Sequence, residues 1–173
     1  MTPAGPAAVV TIRPARPDDR ETLVAYNAAL ARETEGKALD PDTLARGVAA
    51  ALADPDRLRY WVAEWTRDAA VIGQAAVTPE WSDWRAGWIW WLQSVYVRED
   101  ARGAGVFRAL LEHIRAEARA RGDVVGLRLY VEEENSRARA AYESLGLHPG
   151  GYLVYEEPLL GHFPHPGESG GIR

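Results

Sequence analysis

Residues Trp88–Val97 form an almost unbroken apolar and aromatic run that ends in a polar, glycine-containing stretch, Arg98–Gly105. A run of this kind reads as a strand covered on both faces. Beyond the glycines, Val106, Leu110 and Ile114, with Phe107 and Leu111 beside them, repeat at helical spacing to about Arg121. A strand that passes through glycines into a helix aims free backbone N–H groups and the positive end of the helix dipole at one point, which suits a phosphate. Gly103 and Gly105 permit the close approach this needs, although a tight turn that simply starts a helix uses the same residues. No Lys-Ser or Lys-Thr follows Gly105, which sets aside a P-loop nucleotide site.

The segments around this unit alternate in period. Val9–Arg13 is a short β-branched run, and Pro17, Asp18 and Asp19 suit the first turn of a helix carrying Leu23, Tyr26 and Leu30 on one face and ending near Gly36. Asp40-Pro41 opens a second helix with Leu44, Val48 and Leu52 on one face, closed by Asp54-Pro55-Asp56. Residues 59–65 and 71–78 predict a hairpin around Arg67 and Asp68, and 79–87 a polar-aromatic connection. Residues 127–131 predict another strand, Asn135 an N-cap, Ala138–Leu145 a short helix closed by Gly146, and Tyr152–Glu156 a last strand. The expected domain is therefore 9–160, with loosely held ends at 1–8 and 161–173.

Composition narrows the function classes. A chain of 173 residues, 47% apolar and 26% charged, is the size and character of one folded domain. A net charge of -5 without a basic run argues against nucleic acid. The absence of cysteine excludes disulfides, thiolate metal sites and a Cys nucleophile. His113 has no partner at metal spacing, and His162 and His165 fall in the tail, so no metal is expected. Met1–Ala8 shows neither a signal-peptide nor a membrane-span pattern, so no membrane partner and a cytoplasmic location are expected. A homodimer is left open.

Read together, Val95-Tyr96-Val97, Arg102-Gly103-Ala104-Gly105, and Asn135-x-x-Ala138-x-x-x-Tyr142 with Gly146 resemble the GCN5-related N-acetyltransferase (GNAT) family, as does the order of elements from about Val9 to Glu157. The resemblance implies an α/β (α+β) fold with a mixed, mainly antiparallel sheet of six or seven strands flanked by helices. It implies acetyl-CoA as donor, its pyrophosphate on Arg102, Gly103, Ala104, Gly105, Val106 and Phe107, its thioester arm along Val95, Tyr96 and Val97, and further contacts from Asn135, Ala138 and Tyr142. Phe107 stands where the family has Gly or Ala, so its side chain must point away from the pyrophosphate or shift it. The same resemblance makes Tyr142 the general acid for the departing thiolate, whereas its spacing alone fits a core aromatic. Asn135 is on local grounds an N-cap first.

An amine acceptor also needs a base, and residues 88–97 offer only Gln93, Ser94 and Tyr96 as polar side chains, not the Glu that many relatives carry there. Glu33, Glu35, Glu80 and Asp83 are the candidates for base or acceptor binding, and each is also an ordinary surface carboxylate. Trp81 and Trp84, among Glu80, Asp83 and Arg85, suit either an aromatic, acidic pocket for a cationic acceptor, with Ser94 beside it, or a loop pinned to the core. The expected activity is direct acetyl transfer to a small, cationic amine. The alternatives are acetylation of a protein or peptide N-terminus, and a non-catalytic acyl-CoA sensor.

Overall fold

The computed structural model describes residues 10–160. The expected loose ends, with His162 and His165, lie outside the described residues. Strand β1 (Val10–Pro14) leads through a 3-10 turn at Pro17–Asp19 into α1 (Arg20–Glu35), then α2 (Pro41–Ala53). Strands β2 (Arg59–Trp65), β3 (Val71–Ser82) and β4 (Gly87–Val97) follow, then α3 (Val106–Arg121), β5 (Val124–Leu129) and α4 (Ser136–Ser144). The strands lie in the order β1-β2-β3-β4-β5, antiparallel throughout except for the parallel β4–β5 pair. The sheet is thus mixed and mainly antiparallel, with five strands among the described residues rather than six or seven.

Local chemistry accounts for the helix limits. Asp40 Oδ1 accepts from Thr43 N at 2.8 Å and Pro41 needs no donor in the first turn, so α2 begins there. Gly36, at φ 64°, ends α1 in the left-handed conformation. Strand alternation sends side chains to two cores. Trp61, Ala63, Ala75 and Val77 pack with Trp90 and Leu92 against Val106, Leu110, Leu111 and Ile114 of α3. Tyr60, Val62 and Ala76 face Leu23 of α1 and Val48 and Ala51 of α2.

Two expectations need correction. Residues 79–87 are not a free connection: β3 runs on to Ser82 and β4 starts at Gly87, with Pro79, Glu80 and Trp81 opposite Trp90, Ile89 and Trp88. Pro79 is tolerated because β2 ends opposite Val77, which leaves β3 an edge on that side. Tyr152–Glu156 forms no strand. Tyr152 and Tyr155 are 80% and 90% exposed, and β propensity without a neighbouring ladder does not make a strand.

The first strand and the first helix are tied by one guanidinium. Arg13 donates to both oxygens of Asp19 at 2.7 and 2.9 Å and to Glu64 at 2.7 Å, and Asp19 also accepts from Arg16 N at 2.6 Å. Burial alone would raise the Asp19 carboxyl pKa, but the Arg13 and Arg16 hydrogen bonds outweigh it and hold it below the ordinary value. A depressed carboxyl pKa stabilises the fold above its unfolded value of about 3.9, and that contribution is lost as pH falls through the folded value. Asp19→Asn is expected to cost about 2 kcal/mol at pH 7, a Tm lower by roughly 4–8 °C. Calorimetric scans should show the gap between the two proteins closing as pH drops below about 4. A gap independent of pH would assign the loss to packing instead.

Candidate functional site

The sheet opens at the end of β4. Pairing between β4 and β5 stops at Leu92 opposite Leu129, whereas β4 stays paired with β3 as far as Val97 opposite Gly73. Among the described residues, therefore, no strand pairs with 93–97 on the β5 side. Within this stretch β4 carries one extra residue, because Tyr96 faces Gln74 but Gln93 faces Ala76. Ser94 sits in the bulge at φ 52°, an uncommon conformation for a residue with a side chain. Gln74 stabilises it: this fully buried amide donates Nε2 to Ser94 O at 3.0 Å.

The open stretch leads to a helix start without a side-chain cap. Gly103 and Gly105 take left-handed φ values of 81° and 80°, Gly105 is the N-cap of α3, and no acidic residue stands in the first turn. The first amides of α3, from Gly105 to Arg108, have no intrahelical acceptor, so an anion is the natural partner. The helix reaches the sheet here because Gly73 lacks a side chain. A Cβ there would lie 3.1 Å from both Tyr96 O and Val106 Cγ1.

Arg102 does not reach outward alone. Its Nε donates to Val97 O at 2.9 Å, its guanidinium pairs with Glu33 of α1, and it lies 5.6 Å from the Tyr96 ring. The Tyr96 hydroxyl donates to the other Glu33 oxygen at 3.1 Å, and the Tyr96 ring packs 4.9 Å from Tyr26. Desolvation, then the Glu33 hydrogen bond, keep the Tyr96 pKa above its ordinary value, so it is a neutral donor rather than a phenolate base.

Phe107 and Tyr142 meet. Their rings are 5.5 Å apart at 73°, an edge-to-face contact that turns Phe107 into the space between α3 and α4. Arg115 holds α4 in place by donating to Leu145 O at 2.6 Å. Burial pushes the Tyr142 pKa up, so the phenol stays protonated through the neutral range. Asn135 caps α4, its Oδ1 accepting from Ala138 N at 3.0 Å.

The four candidate carboxylates are separated. Glu33 is the one of the four bonded to the open stretch of β4, through Tyr96. Glu35 pairs with Lys37. Glu80 accepts from Trp91 Nε1 and from Arg128 at 3.4 Å. Asp83 accepts from Trp84 N at 2.9 Å in the hairpin turn, about seven residues of strand, roughly 23 Å, beyond Ala76. Trp81 packs edge-on to Trp88, and Trp84 is 88% exposed at the turn, so these residues do not close a pocket around Ser94.

A cavity of about 550 Å³ does open beside Ser94, on the α1–α2 face. Asn27, Leu39, Leu44, Val48, Tyr60 and Thr78 are among its lining residues. Sequence reasoning missed Asn27 and Tyr60. The available signal was Asn27 itself, an amide four residues after Leu23 on the apolar side of α1.

Known proteins share this arrangement. The Acetyltransferase (GNAT) family matches residues 22–147. No curated protein matches the chain. Among solved structures, a possible acetyltransferase from Clostridium difficile 630 is 42% identical, with a TM-score of 0.82 over 88% of this chain and 99% of that one. A predicted acetyltransferase from Clostridium acetobutylicum, crystallised with acetyl-CoA, is 20% identical, with a TM-score of 0.70 over 86% of this chain and 96% of that one. Glucosamine-6-phosphate N-acetyltransferase from Arabidopsis thaliana is 16% identical, with a TM-score of 0.65 over 86% of this chain and 98% of that one. The last two show likeness of fold.

Phe107→Ala is expected to uncover Tyr142 and bring its ionisation back toward about 10. Spectrophotometric titration of F107A against the wild type, with Tyr142→Phe to assign the signal, checks this. An unchanged curve would mean that Phe107 is not the cover.

Proposed function

Because the chain belongs to the acetyltransferase (GNAT) family, we propose that it transfers an acetyl group from acetyl-CoA directly to the amine of a small acceptor. The observation that carries this reading is the unpaired stretch 93–97 of β4 running into the uncapped start of α3. The amides of Gly105 to Arg108 and the helix dipole receive the pyrophosphate. The free edge of Val95, Tyr96 and Val97 receives the thioester arm, and a backbone N–H there polarises the carbonyl. Bound acetyl-CoA supplies the activated acetyl group as a thioester.

The chain's own residues then manage two protons. Tyr142, neutral and held by Phe107, gives its proton to the departing sulfur. The amine loses one proton as its nitrogen joins the acetyl carbon. We assign Glu33 to receive it, directly or through water, a reading supported by its bond to Tyr96 of the open stretch. With no cysteine in the chain, a thiol-linked acyl-enzyme has no carrier, which favours one-step transfer. Most of the acceleration then comes from holding the two reactants together, an effect that reaches roughly 7–11 kcal/mol.

A thiol-release assay with acetyl-CoA and a panel of amines and peptides, run beside calorimetric titration of acetyl-CoA, tests the reading. Release with an amine supports it; binding without release indicates a sensor, and absence of binding overturns it. Tyr142→Phe should lower kcat by roughly 10²-fold or more, the low end of acid–base effects, with acetyl-CoA affinity kept. Glu33→Gln should lower kcat by roughly 10²-fold or more, with recovery as pH approaches the amine's own pKa of about 10. A rise confined to the KM for acetyl-CoA would instead make Glu33 only a tether for Arg102.

A further inference from the structure

The cavity beside Ser94 carries a more specific message about the acceptor. Its walls include Leu39, Leu44, Val48 and Leu58, which cover an apolar body. Asn27 and Tyr60, both in the lining, form a buried polar pair. Asn27 Nδ2 donates to Leu23 O at 3.0 Å and to Tyr60 Oη at 3.1 Å. A carbonyl only accepts, so the Leu23 contact fixes which end of the Asn27 amide is nitrogen. Asn27 Oδ1 then accepts from no group among the described residues, and the Tyr60 oxygen, which takes one hydrogen bond from Asn27, keeps a second lone pair for an amine N–H. The pair thus holds hydrogen-bonding capacity in a cavity whose lining it shares with Leu39, Leu44, Val48 and Leu58 and with Thr43, Thr78 and Ser94.

Charge is confined to the rim. Asp40 is the one carboxylate in the lining, and its Oδ1 is engaged by Thr43 N as the cap of α2. Arg57 is exposed and faces Asp54 at 3.6 Å. Glu33, Glu35, Glu80 and Asp83, the candidate carboxylates for a cationic acceptor, are absent from the lining. A second ammonium carried in among Leu44, Val48 and Leu58 would lose its hydration there, because the anion in the lining, Asp40, stands at the exposed rim.

We propose that the acceptor is a primary amine on an uncharged, apolar body, of the alkylamine or arylalkylamine class, with its nitrogen end held near Ser94 by Asn27 Oδ1 and the Tyr60 hydroxyl. This inference rests on the acetyl-CoA-dependent transferase reading above. It adds the specificity that Leu39, Leu44, Val48 and Leu58 impose.

The test is thiol release with acetyl-CoA and two matched sets of acceptors, hexylamine and phenethylamine against spermidine and kanamycin, with acetyl-CoA binding measured separately by calorimetry. The expected result is a kcat/KM at least tenfold higher for the first set. Leu39→Asp and Leu44→Asp, at the partly exposed wall, should raise the KM for phenethylamine at least tenfold with the Kd for acetyl-CoA unchanged. Tyr60→Phe, which keeps the ring in the core, should raise the same KM. Acetyl-CoA binding with preference for the polycations, or with turnover of neither set, overturns the acceptor assignment and leaves the cofactor site standing. Absence of acetyl-CoA binding overturns the underlying transferase reading and this inference with it. Wall variants that leave the phenethylamine KM unmoved remove the cavity from the acceptor's path.

Discussion

The structure turns on the unequal partnership of β4. On one side it is paired with β3 to its last residue, Val97; on the other, β5 leaves it after Leu92. Backbone groups abandoned inside a sheet are costly unless something pairs with them, so this edge is either a site or a defect. The fold supports this edge without closing it. A bulge re-aims Ser94, a buried glutamine holds that bulge, and Gly73 lets the start of α3 approach the same end of the sheet. The bulge at Ser94 and the strand opening belong to one departure from regular pairing.

The two faces of the sheet divide the work around that opening. The α3 face carries the larger apolar cluster and the uncapped helix start, while the α1–α2 face carries the cavity beside Ser94. Glu33, Arg102 and Tyr96 join them: a helix from the cavity side grips the arginine of the phosphate-type loop, and the tyrosine between them belongs to the open stretch of β4. Along α1, Glu33 lies six residues from Asn27, roughly 9 Å, so one helix borders both the cavity and the loop. This is why Arg102 contacts Glu33 and Val97 O in addition to any role toward an anion. Phe107, at odds with the family's pattern, finds its place against Tyr142.

Much of this was legible before any coordinates. Gly36 and Asp40 behave as their chemistry dictates, because caps are decided within one turn of chain. The Arg102–Gly105 turn and the apolar stripe of α3 are local patterns too. Misreadings came where neighbours decide. Residues 79–82 look like loop because of Pro79 and their charges, yet cross-strand contact with Trp88, Ile89 and Trp90 makes them strand. Tyr152–Glu156 has strand composition and no partner. Asn27 gains its partner only when the fold brings Tyr60 to it from a distant strand.

Residue order alone was enough for the periods of the strands and helices, their caps, the glycine turn before α3 and the lack of any cysteine chemistry, since each depends on contacts within a few residues. Only the folded chain could decide where β5 parts from β4, which of four carboxylates stands beside the opening, and what lines the cavity. Those outcomes depend on register and on side chains tens of residues apart, Glu33 with Arg102 and Asn27 with Tyr60. Short-range propensity carries no information about distance in space, and packing supplies it.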